Sequence, residues 1–174
     1  MNPILRKIRT FLAMRSREKL WFFLLFVLSG IARAAILTVP FRHVAPYLGR
    51  HYQNEQLACI ATKEQLQTAW RIGRITESVS KYTPWQSKCL VQAMMVRSLL
   101  GYYDIPYVMH LGVTKSQAGE GTTVGDENVL KAHAWLSVGP WIVSGREGHR
   151  AFTIVSTFVQ PSLLEPLSTK RSCG

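Results

Sequence analysis

The stretch 107–145 constrains the fold more than any other part of the chain. YVMHLGV and VLKAHAWLSV both alternate at the two-residue period of a strand with one face inward. In the first, Tyr107, Met109, Leu111 and Val113 fall on one side. In the second, Leu130, Ala132, Ala134 and Leu136 face one way and Lys131, His133, Trp135 and Ser137 the other. Gly139 and Pro140 then turn the chain into a third strand, WIVSG. The glycine-rich polar stretch 114–128 reads as a long loop between the first two strands.

Helical spacing takes over upstream. In TKEQLQTAWRIGRITESVSKY, Leu66, Ala69, Trp70, Gly73 and Ile75 or Thr76 recur near the helical period, which predicts a helix starting near Thr62 or Lys63. Pro84 restricts the residue before it and ends that helix. Ser87 stands where an N-cap would stand, and CLVQAMMVRSLL forms a second helix with Cys89 in its first turn and Gly101 as its stop. The order is helix with cysteine, strand, loop, strand with histidine, turn, strand. It predicts an α+β domain rather than the regular alternation of a parallel sheet.

At 174 residues the chain has room for one domain of ordinary size. Its net charge of +11 is unevenly placed, with nine Lys and Arg but only Glu18 as an acid in residues 1–50. Residues 4–19 read as a basic helix, followed by an uncharged run of thirteen residues, LWFFLLFVLSGIA, that Arg33 interrupts. That run falls short of the roughly 20 apolar residues a bilayer span needs. The expected arrangement puts Trp21, Phe22, Leu25, Leu28 and Ala32 on one helix face against the domain, with the arginines solvated opposite. The alternatives are a helix lying on an anionic membrane surface or docked on a partner. Nucleic acid is disfavoured, because the basic residues are interleaved with a long aliphatic stretch rather than a polar groove. PFRHVAPYLGR reads as a proline-punctuated turn and short helix leading into the body.

Three cysteines, Cys59, Cys89 and Cys173, without a CxxC pair, point to a reducing compartment, and the scattered histidines have no zinc-site spacing. No metal or cofactor is expected. A thiol becomes a nucleophile as its thiolate, which the positive end of a helix favours. Cys89 occupies such a place, and the unpaired amides there, with the side chain of Gln86, are candidate donors to an oxyanion. His133, projecting from a neighbouring strand, is the candidate base, with Trp135 shielding it from water. The simpler reading makes Cys89 a small core residue and His133 a satisfied strand residue, and a lone Cys with a distant lone His does not by itself decide between them. Cys59, in LACIA, reads as core; Cys173, in TKRSCG, as part of a polar tail; His110 as packing; and His149, in REGHR, as a solvated loop residue.

TPWQSKCLVQAMMVRSLLGYYDIPYVMHLGV, followed by LKAHAWLSVG and WIVSG, resembles the lasso-peptide maturation proteases. Their transglutaminase-like, papain-like cysteine protease core carries a cysteine in a CL-x-x-A helix and a histidine in an AHAW strand. The resemblance implies Cys89 as nucleophile and His133 as base. It also implies an Asp on the next strand, about a dozen residues beyond the histidine, to orient the imidazole. IVSGREGH has no Asp there, which leaves Glu147 as the candidate carboxylate, or else a Ser144 hydroxyl or a backbone carbonyl. Trp85 and Trp135 are candidates for substrate contact. The organisation expected is a basic and apolar helical segment over 1–50 and a transglutaminase-like peptidase domain over 51–174. The implied activity is removal of the leader from a lasso-peptide precursor, so that a separate cyclase can form the macrolactam. The implied partners are that precursor, the cyclase and a separate leader-recognition protein, in the cytoplasm. Residues 1–50 would dock on a partner, the exporter or the inner face of the membrane. A non-catalytic precursor-binding scaffold and a transglutaminase-like acyl transferase are the competing readings.

Overall fold

The computed structural model describes residues 15–53, 57–84, 88–116 and 129–160. The part of the expected basic helix before residue 15, Trp85, Gln86, Ser87, most of the stretch 114–128 and Cys173 lie outside the described residues.

The described residues form an α+β fold of four α-helices and a five-stranded antiparallel sheet. Helix α1 is Ser16–Thr38, α2 is Phe41–Val44, α3 is Lys63–Ser80 and α4 is Cys89–Tyr102. The strands are β1 (Arg50–Tyr52), β2 (Val108–Ser116), β3 (Val129–Val138), β4 (Trp141–Ser144) and β5 (Thr153–Val159), in the order β1-β5-β2-β3-β4. The three strands expected from alternation form consecutive neighbours, with Leu111 opposite Ala134 and Gly112 opposite His133. The sequence reading missed β5, which inserts between β1 and β2.

Local chemistry fixes the helix ends. Thr62 caps α3 through a reciprocal pair, Gln65 N donating to Thr62 Oγ1 at 3.2 Å and Thr62 N to Gln65 Oε1 at 2.9 Å. Helix α4 is entered through Lys88 rather than Ser87, which makes Cys89 its first residue. Gly101 does not stop it: the chain runs to Tyr102, and Asp104 takes the left-handed conformation (φ 50°). Ile105 N then bonds Leu100 O at 2.9 Å and Asp104 N bonds Gly101 O at 3.3 Å, the Schellman pattern that satisfies the last carbonyls.

Alternate residues of β2 and β3, including Met109, Ala134 and Leu136, meet Ile72, Val79, Val91, Val96 and Leu100 from α3 and α4 in one core. Helix α1 adds Trp21, Leu25 and Ala32 to it. Opposite these stand Leu20, Phe23, Val27 and Ile31, all exposed, where the sequence reading placed solvated arginines. The helix also continues without a break through Arg33, so at 23 residues it is long and apolar enough to cross a membrane by length and composition.

Helix α3 crosses β4 at Gly73, where a Cβ would stand 2.2 Å from the Val143 carbonyl oxygen. A backbone oxygen cannot swing aside as a side chain can. Gly73→Ala should therefore push the helix off the strand and cost about 1–3 kcal/mol, read as a lower denaturant midpoint with an unchanged slope.

Candidate active site

An open cleft of about 570 Å³ runs between one face of α3, the start of α4 and the end of the hairpin β3–β4. Cys89 and His133, forty-four positions apart in sequence, both line it, as does Glu147.

Cys89 reaches the cleft because it is the first residue of α4. The first intrahelical bond there is Gln92 N to Lys88 O at 3.1 Å, and Lys88 supplies no capping side chain. The amides of Cys89, Leu90 and Val91 thus precede the helical ladder. The sulfur is half-buried. Among the described residues no hydrogen bond joins it to the His133 ring.

His133 is half-buried on β3, packed between Phe152 (ring centroids 5.0 Å apart) and Trp135 (6.0 Å, nearly parallel). Its Nε2 lies 2.9 Å from the Gly145 carbonyl oxygen. A carbonyl only accepts, so this bond places the ring proton on Nε2 and leaves the Nδ1 lone pair as the neutral ring's base. The dipole of a peptide carbonyl thus holds the imidazole in the place where a carboxylate was sought. Gly145 follows β4 with φ 70°, and a Cβ there would stand 2.2 Å from the Ala134 carbonyl oxygen. Glycine alone lets the chain turn this tightly against β3 and aim that carbonyl at the ring.

Glu147, the weaker expectation for the third member, lines the cleft without a hydrogen bond to His133 among the described residues. Its charge is felt at Lys81, whose ammonium pKa is raised first by the hydrogen bond it donates to Glu77 and by that carboxylate's charge, and more weakly by Glu147. Ser144 Oγ is buried with no partner among the described residues, so it does not hold the ring either. Trp135 is buried behind the imidazole, 6% exposed, and is not part of the cleft wall. Its position suits shielding, and the tryptophan that lines the cleft is Trp70 of α3, with the Arg146 guanidinium 4.7 Å over its ring. Trp70 carried only a helix-periodicity signal in the sequence, and Arg146 carried none.

Cys59, His110 and His149 have structural partners. The Cys59 thiol is buried, which raises its pKa; it donates to Pro106 O at 3.4 Å and accepts from Gly139 N at 3.3 Å. His110 is buried against Thr157 Oγ1 at 3.0 Å, and desolvation lowers its pKa. His149 is not simply solvated: it packs on Trp135 and its Nδ1 lies 2.7 Å from Arg146 O. Among the described residues no group of three or more His, Cys, Asp and Glu could hold a metal.

A model of the transglutaminase-like superfamily matches residues 35–157. No curated protein and no solved structure matches the chain.

Proposed function

Because the chain belongs to the transglutaminase-like superfamily, we propose that it is a cysteine peptidase that removes the leader from a lasso-peptide precursor, with Cys89 as nucleophile and His133 as base. The observation that carries this reading is a sulfur at a helix start and a tautomerically fixed imidazole lining one open cleft.

In this mechanism Nδ1 of His133 takes the proton from Cys89 Sγ, and the thiolate attacks the carbonyl carbon of the scissile peptide bond. The oxyanion of the tetrahedral intermediate is met by the amides at the start of α4. The imidazolium gives its proton to the leaving amine, which departs as the free N-terminus of the core peptide. Water, deprotonated by the same nitrogen, then hydrolyses the thioester and releases the leader as a carboxylic acid. Gly145 O holds the ring throughout, and the cycle needs no cofactor. The choice of a lasso precursor rests on the joint resemblance of the TPWQSKCL and AHAW segments. It carries with it a separate leader-recognition protein, the lasso cyclase and a cytoplasmic setting as working partners and place.

The test uses a lasso-peptide precursor as substrate, with mass spectrometry of the products and peptide-resolved labelling by iodoacetamide. The expected products are a leader with a free carboxylate and an intact core, and Cys89 should label well before Cys59. An amide-linked adduct would assign acyl transfer instead. Labelling of Cys89 that is slow and insensitive to His133→Ala, with no cleavage, would leave a precursor-binding scaffold.

A further inference from the structure

Helix α1 has two apolar sides. One side is committed: Leu25 and Ser29 are fully buried, Trp21 Nε1 donates to Tyr103 Oη at 2.9 Å, and the Arg17 guanidinium lies over both rings. The other carries Leu20, Phe23, Val27 and Ile31, exposed by 66%, 61%, 58% and 60%, at spacings of three, four and four. This is the repeat that keeps side chains on one helical stripe. No charged residue interrupts 20–32, and Leu37 extends the exposed apolar surface toward the helix end. A contiguous patch of this kind marks a surface that another phase or molecule covers.

The charge around the stripe says which. Arg15, Arg17 and Lys19 stand immediately before it, Arg6, Lys7 and Arg9 precede them in the sequence, and Arg42 and Arg50 are exposed after it. Glu18 is the one acid in residues 1–50. The family match begins at residue 35, so the stripe lies mostly outside the shared domain.

We propose that α1 binds an anionic membrane surface in the plane of the interface, with Leu20, Phe23, Val27 and Ile31 in the acyl boundary. Arg15 and Lys19 lie among the lipid phosphates, and the domain stays on the aqueous side. At 23 residues the helix is roughly 35 Å long, enough for a core about 30 Å thick. Crossing, however, would strip Trp21, Leu25 and Ala32 from α3 and α4 and leave that core open to water. An in-plane helix keeps both faces covered at once. The proposal does not depend on the peptidase reading, since it concerns a surface that a scaffold with the same fold would also carry.

The test is co-sedimentation of the full chain with vesicles of phosphatidylcholine alone or mixed with phosphatidylglycerol, beside the double variant Val27→Asp, Ile31→Asp. Both positions are exposed, and the variant's thermal unfolding should match the parent's. The parent should bind the mixed vesicles and be released by about 0.5 M NaCl, while the variant should bind roughly tenfold less or worse. Equal binding to neutral vesicles, or binding by the variant like that of the parent, would overturn the proposal. So would a soluble dimer that ignores vesicles, which would assign the stripe to a second copy. When the chain is expressed in cells, release from membranes by alkaline carbonate is expected, and resistance to it would mean a spanning helix instead.

Discussion

Cys89→Ala and His133→Ala should each abolish cleavage of the precursor, with rates falling at least about 10³-fold, and the double variant should be no worse than either single one. The non-additivity follows from the mechanism, because each residue acts through the proton it exchanges with the other. Folding should survive both changes. Cys89 is half-buried at the first position of α4, and alanine there keeps the helix start and its best propensity. His133 is a half-buried ring at the cleft, and its loss removes packing against Phe152 without touching the core between helices and sheet. Initial rates of leader release by mass spectrometry, beside thermal unfolding, check both halves. Full activity in either variant ends the assignment.

Gly145→Ala should lower cleavage about 10²-fold while leaving the nucleophile and the base in place. The new Cβ has nowhere to go against the Ala134 carbonyl, so the turn must shift, and the Gly145 oxygen shifts off His133 Nε2 with it. Some stability is lost as well, about 1–3 kcal/mol from the overlap and the left-handed backbone. Gly148→Ala separates the two effects. Gly148 also has φ 70°, but a Cβ there meets nothing within 4 Å. It should lose about 1–2 kcal/mol from backbone strain alone and keep its cleavage rate. The pH profile of Cys89 alkylation should move in Gly145→Ala and stay put in Gly148→Ala, which a purely structural role for Gly145 would not produce.

What the sequence made legible follows from which interactions are local. Helix α3 announces itself by the helical spacing of Leu66, Ala69, Trp70 and Gly73 behind a start near Thr62, and β2 to β4 by two-residue alternation joined through Gly139 and Pro140. Strand β5 is hidden because its partners, β1 and β2, are distant in the chain, and only its last three residues are buried. On α1 the helical period picks out the packed face, where Trp21, Leu25 and Ala32 are buried, but not what stands opposite it, because no arginine falls within Leu20–Ala32 and the free side is apolar as well. In the site, the thiol and the imidazole stand out by residue type. The group that orients the imidazole does not, because a main-chain carbonyl leaves no letter in the sequence beyond the glycine that frees the turn.

The crossing of α3 over β4 has a bearing on how a polypeptide can be gripped. Many proteins hold an extended peptide by letting it join a sheet as one more strand, reading its main chain and asking little of its side chains. Here β4 is the rim of the sheet nearest the cleft, and its Val143 oxygen faces the helix backbone at Gly73. A guest strand at that rim would meet the crossing helix beside Val143. In the proposed reaction the guest's hold would come through the side chains that line the cleft, Trp70, Arg74, Glu77 and Arg146, which would make recognition a matter of which amino acids the guest presents.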